Sequence, residues 1–114
     1  MKEEKFKVIQ YIRELILRID KELDNVPKKE IEIKNRIRNN TYDMLEIAYE
    51  ANATEDVKAK KTLLLKVISK IKVIDFLLNL SYEKQIITEK KYYKLSEKIN
   101  DIIKYTIGWV KSLN

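Results

Sequence analysis

Three clusters of cations carry most of the chemistry this sequence offers: Lys34, Arg36 and Arg38; then Lys58, Lys60 and Lys61; then Lys90, Lys91, Lys94 and Lys98. Grouped positive charge is the electrostatic footprint of a polyanion site, and equally the ordinary surface of a lysine-rich chain. Arginine grips phosphate or carboxylate through a planar fork of two hydrogen bonds, which lysine cannot do. Arg36 and Arg38, two of only four arginines, therefore lead the candidates for nucleic-acid contact, followed by Lys34, Lys58, Lys61, Lys90, Lys91, Lys94 and Lys98. Seven tyrosines raise base stacking as a second possibility, because aromatic faces among cations hold single strands. Their spacing favours core or subunit packing: Tyr92 falls on an apolar seam, and Tyr42 and Tyr49 lie seven apart on one helix face.

Two lines of carboxylates, Asp43 with Glu46 and Glu50, and Glu97 with Asp101, invite a metal or acid/base reading. Bundle di-metal sites draw a Glu-x-x-His from each of two helices, and this chain has no His. Solvated or ion-paired carboxylates fit better, with Lys94–Glu97 and Asp101–Lys104 spaced as helical pairs. Zero Cys and zero His also remove thiol nucleophiles, disulfides, thiolate zinc, Ser-His-Asp triads and His-ligated metals. No catalytic residue, metal, cofactor or small-molecule substrate is expected.

The elements that must position these groups are helices. A 114-residue chain with one Gly and one Pro lacks the turn formers of an all-β fold, and its length suits one domain spanning 1–114. Val8, Ile9, Ile12, Leu15, Ile16, Ile19 and Leu23 recur at helical spacing, and Glu3–Lys7 and Glu14–Arg18 are well-ordered i,i+4 pairs. Pro27 ends that segment. Ile33, Ile37, Thr41, Met44 and Ala48, with Leu45 beside them, mark a second helix, and Thr54 or Asn52 is offered as N-cap of the third. Leu63 to Leu78 form the richest aliphatic stripe, so the third helix should be the most buried. Thr88 caps a fourth, whose seam runs Tyr92, Leu95, Ile99, Ile102, Thr106 and Trp109. Gly108, the only glycine, interrupts that pattern, which points either to close approach of another helix with Trp109 as a large anchor or to a helix beginning to fray near its end. Helices at about 4–24, 30–51, 55–80 and 88–112, joined by short connections, predict an all-α, up-down-up-down antiparallel four-helix bundle.

Lys+Arg 24 against Asp+Glu 18 gives a net charge of +6, which favours polyanions or acidic partners. The charged opening Met1-Lys2-Glu3-Glu4-Lys5 offers no signal-peptide run, and no apolar stretch is long enough to cross a membrane. A soluble, cytoplasmic protein is expected.

The order of these motifs resembles a known family. Pro27-Lys28-Lys29, then Asn35-Arg36-Ile37-Arg38-Asn39-Asn40-Thr41-Tyr42-Asp43-Met44-Leu45-Glu46, is similar to a Pro-then-RI-NN-YD-LE region of the Avd family, the accessory variability proteins of diversity-generating retroelements. Ile86 to Tyr92 and Gly108-Trp109-Val110-Lys111-Ser112 resemble that family's last helix and its GGW-KS-like ending, with Ile107 where the first of two glycines usually stands. The resemblance implies a four-helix bundle assembled as a homopentamer that binds the retroelement reverse transcriptase and template RNA, or an RNA/DNA hybrid, to support mutagenic cDNA synthesis. Tyr42, Leu45, Gly108 and Trp109 then belong to packing and assembly. A ring of five would carry about +30, enough to hold phosphates with little regard to sequence. Similar bundles encoded in intervening sequences of ribosomal RNA genes offer the alternative, a protein-protein adaptor without a retroelement role.

Overall fold

The computed structural model describes residues 2–114, with side chains from Lys5 onward, so the Glu3–Lys7 pair lies outside the described residues. Its elements are α1 (Lys2–Glu22), a single 3-10 turn (Lys28–Glu30), α2 (Ile31–Ala53), α3 (Val57–Glu83) and α4 (Glu89–Ser112). No strand occurs among the described residues.

Each helix buries a strict alternation of three- and four-residue steps. Val8, Ile12, Leu15 and Ile19 face inward from α1, and Ile37, Thr41, Met44, Ala48 and Ala51 from α2. Leu64, Val67, Ile71, Ile74, Leu78 and Ser81 do so from α3, and Leu95, Ile99, Ile102, Thr106 and Trp109 from α4. This is the heptad pattern of knobs-into-holes packing, and each large aliphatic side chain contributes roughly 1.5–3 kcal/mol by leaving water. With Leu77 added, α3 buries the most residues, as its stripe predicts. The three polar residues on the seams leave no orphan hydroxyl, since Thr41 donates to Arg38 O, Ser81 to Leu77 O and Thr106 to Ile102 O.

α1 packs on α2 and α4, and α3 packs on the same two, while the diagonals α1–α3 and α2–α4 do not meet. Consecutive helices are thus neighbours at the corners of a square, an antiparallel up-down-up-down bundle measuring 44 × 22 × 19 Å.

The termini depart from expectation by two or three residues: α1 ends at Glu22 rather than about 24, and α3 runs on to Glu83 rather than about 80. α2 runs on to Ala53, which absorbs Asn52 into the helix and leaves Thr54 as its C-cap, the hydroxyl donating to Glu50 O. Asp56 becomes the N-cap of α3, its carboxylate accepting from Ala59 N at 2.9 Å. Thr88 does cap α4, accepting from Lys91 N. The end of α3 closes with Ile86 N donating to Ser81 O and Gln85 N to Tyr82 O, the paired bonds of a Schellman motif. Its left-handed position is Gln85, at φ 62°, where a glycine is usual. Gly108 has no positive φ, so backbone conformation does not account for it.

Several ion pairs tie the helices together. Asp20–Arg38 joins α1 to α2, Asp43–Lys70 joins α2 to α3, and Glu14–Lys98 and Glu22–Lys91 join α1 to α4. Glu14 therefore faces Lys98 rather than pairing with Arg18, and Lys94–Glu97 and Asp101–Lys104 are not ion pairs.

Candidate nucleic-acid interface

Arg36 and Arg38 are two residues apart, which on a helix turning 100° per residue sets them about 200° apart. Arg38 faces α1. Its Nε lies 3.0 Å from Asp20 Oδ1, close as an ion pair but off line for a hydrogen bond, and its Nη2 donates to Tyr42 Oη at 3.2 Å. The Tyr42 bond, then the Asp20 charge, hold the guanidinium above its ordinary pKa. Arg36 faces α3 and solvent. It lines one groove with Lys29, Glu30, Glu32, Ile33, Leu80 and Lys84, and a second with Asn35, Asn39, Asn40 and Asp43. Grooves that mix arginine, lysine and asparagine donors suit phosphate oxygens, with Glu30, Glu32 and Asp43 limiting how many they hold.

The other candidates divide in the same way. Lys91 reaches Glu22 at 3.6 Å, and Lys98 reaches Glu14 at 2.8 Å with its ammonium 4.4 Å from the Tyr11 ring centroid. Hydrogen bonds from Lys98 and Gln10, only partly offset by desolvation, pull the Glu14 carboxyl below its usual range. Lys61 donates to Asn114 Oδ1. Lys34, Lys58, Lys90 and Lys94 have no ion-pair partner among the described residues, although Lys94 shares a groove with Arg18, Glu97, Lys98 and Asp101.

Topology sorts the clusters further. Lys58 and Lys61 open α3 at one end of the rod, while Lys34, Arg36, Lys90 and Lys91 stand at the other, so one short ligand cannot touch all three clusters. Lys28 and Lys29, exposed on the 3-10 turn and without an ion-pair partner among the described residues, join Arg36 at that second end. Sequence reasoning treated them as part of a motif; their position right after Pro27, where the chain must turn, is the signal that exposes them. Tyr93, 59% exposed one turn after Lys90, is the aromatic best placed for stacking there. Tyr92 is committed, lying parallel to Tyr82 at 5.5 Å and accepting from Asn79. The Tyr82 hydroxyl donates to Glu89 at 2.9 Å, and that bond and charge raise its pKa.

Among the packing candidates, Trp109 is buried and Leu45 packs against the core. Tyr42 and Tyr49 stay exposed on the outside of α2, and Gly108 faces away from the core seam. The carboxylate lines do not converge: no group of three or more Asp or Glu that could hold a metal occurs among the described residues. None of the described helices is long and apolar enough to cross a membrane. No family model, curated protein or solved structure matches the chain.

Proposed function

We propose that this chain is a non-catalytic, basic accessory protein of a diversity-generating retroelement, cytoplasmic and homopentameric, binding the reverse transcriptase and template RNA or its hybrid with cDNA. The motif resemblance supplies the retroelement and the pentamer. The observation that carries nucleic-acid contact is the end of the rod where Lys28, Lys29, Lys34, Arg36 and Lys90 present ammonium and guanidinium groups with no ion pair among the described residues, beside exposed Tyr93. Phosphate contact there needs no internal pair to be broken, and no base-reading arrangement accompanies it, so binding is sequence-tolerant.

The test is retention of structured RNA as salt is raised. A log-log slope of several units, lowered when Arg36 and Lys90 are changed to Glu with the helical signal intact, supports the reading. Absence of RNA binding at about 150 mM salt refutes it and leaves the protein-protein adaptor of the intervening-sequence type.

A further inference from the structure

At the end of the rod that carries Lys28, Lys29, Arg36 and Lys90, three tyrosine rings stand in series. Tyr82, from the last turn of α3, lies parallel to Tyr92 of α4 with centroids 5.5 Å apart, and Tyr93 follows at 6.0 Å, tilted by 38°. The first two rings pack against the core and are fixed at their hydroxyls, Tyr82 donating to Glu89 and Tyr92 accepting from Asn79. Tyr93 ends the series at the surface. It is 59% exposed, and its hydroxyl has no hydrogen-bond partner among the described residues. Burial and internal bonding therefore do not account for an aromatic ring here. A ring set against an ordered neighbour has little freedom left to lose when a flat ligand covers it.

We infer that Tyr93 is a stacking platform for one unpaired base, so that this end of the rod takes an unpaired segment of the RNA. Lys90 stands one turn before Lys94 on the same flank of the ring, ~6 Å away along the axis. Both are exposed and have no ion-pair partner among the described residues, which lets an ammonium meet the phosphate on either side of the stacked base. Two carboxylates also neighbour the ring, Glu89 four residues before it and Glu97 four after. Glu89 already accepts from Tyr82, whereas Glu97 is exposed and repels a strand running on along α4. The contact is thus confined to a single nucleotide.

Stacking selects the class of ligand. A base inside a duplex has both faces covered by its neighbours, and only an unpaired or terminal base can lie on the ring. Every base has such a face, so the platform tolerates sequence, in keeping with phosphate contacts that read none. This deepens the proposed function and rests on its nucleic-acid reading.

The test compares binding of a labelled oligouridylate, whose bases stack weakly on one another, with binding of a long double-stranded RNA. Tyr93→Leu should weaken oligouridylate binding by about 5- to 100-fold and leave duplex binding within about twofold of wild type. Its salt slope and helical spectrum should not change, because no phosphate contact or core residue is lost. Tyr93→Phe, which keeps the ring, should bind both RNAs as wild type does. Unchanged oligouridylate binding by Tyr93→Leu, equal losses on the two RNAs, or a loss in Tyr93→Phe as large as in Tyr93→Leu overturns the platform and leaves the phosphate contacts standing. Wild-type protein that retains neither RNA at about 150 mM salt overturns the nucleic-acid reading and the platform together.

Discussion

Replacing Gln85 with glycine should stabilise the protein, because this residue closes α3 in the left-handed conformation at φ 62°. A side chain with a Cβ pays roughly 1–2 kcal/mol there, since Cβ crowds the following carbonyl. Glycine removes that penalty but adds freedom to the unfolded chain worth about 0.5–1 kcal/mol. Gln85 is exposed and its side chain makes no hydrogen bond, while the bonds from Gln85 N to Tyr82 O and Ile86 N to Ser81 O involve backbone alone. Nothing else is lost, so the net gain is about 0.5–1 kcal/mol. For a chain of this size that corresponds to a melting-temperature rise of about 2–6 °C. Urea unfolding should show a higher midpoint at unchanged slope, with Gln85→Ala, which retains the Cβ, staying close to wild type. A glycine variant no more stable than the alanine variant would refute the argument, showing that the turn is held by something other than its backbone geometry.

Asp56→Ala and Thr88→Ala should each cost about 1 kcal/mol in urea melts, while Thr54→Ala, whose hydroxyl only bonds back to Glu50 O, should cost far less. Arg38→Gln should leave RNA retention near wild type and lower stability modestly by stranding Asp20, whereas Arg36→Gln should do the reverse and reduce the salt slope by about 1. The Glu14 carboxyl, lowered by Lys98 and Gln10, favours the folded state above its unfolded pKa near about 4.3 and loses that contribution as pH falls through its lower folded value. The stability gap between wild type and Lys98→Met should therefore narrow below about pH 4 by a few tenths of a kcal/mol, and thermal melts showing a pH-independent gap would refute the pairing. Trp109→Ala removes the largest buried side chain of α4 and should cost about 3–5 kcal/mol by chemical denaturation.

The fold was legible because every helix repeats its buried residues at steps of three and four, a signal local to each segment. Helix ends were less legible. Thr54 and Asn52 are both good N-cap types, but the extra half-turn of α2 decides that Asp56 takes the role. Side-chain pairing was least legible, because a sequence shows i,i+3 and i,i+4 neighbours and hides the register between helices. Glu14 has Arg18 one turn away and bonds instead to Lys98, 84 residues on, since the α1–α4 contact brings that ammonium to 2.8 Å from the Glu14 carboxylate and 4.4 Å from the Tyr11 ring centroid. The arginine pair illustrates the same limit: adjacency in sequence suggested one site, and helical geometry placed the two on opposite sides of α2.

That division changes what a net charge of +6 means for a polyanion. A cation already held by a carboxylate gains little by moving to a phosphate, because it exchanges one anionic neighbour for another and leaves the first exposed. Arg38, Lys70, Lys84, Lys91 and Lys98 are held in this way, and all five serve to lock one segment of the bundle to another. Among the described residues the cations outside these pairs include Lys28 and Lys29 on the 3-10 segment, Lys34 and Arg36 on α2 and Lys90 on α4 at one end, with Arg13, Arg18, Lys66, Lys72 and Lys104 spread along the helices. Attraction to a polyanion therefore comes from the cations outside these pairs, of which Arg36 with Lys28, Lys29, Lys34 and Lys90 form the group at one end of the rod.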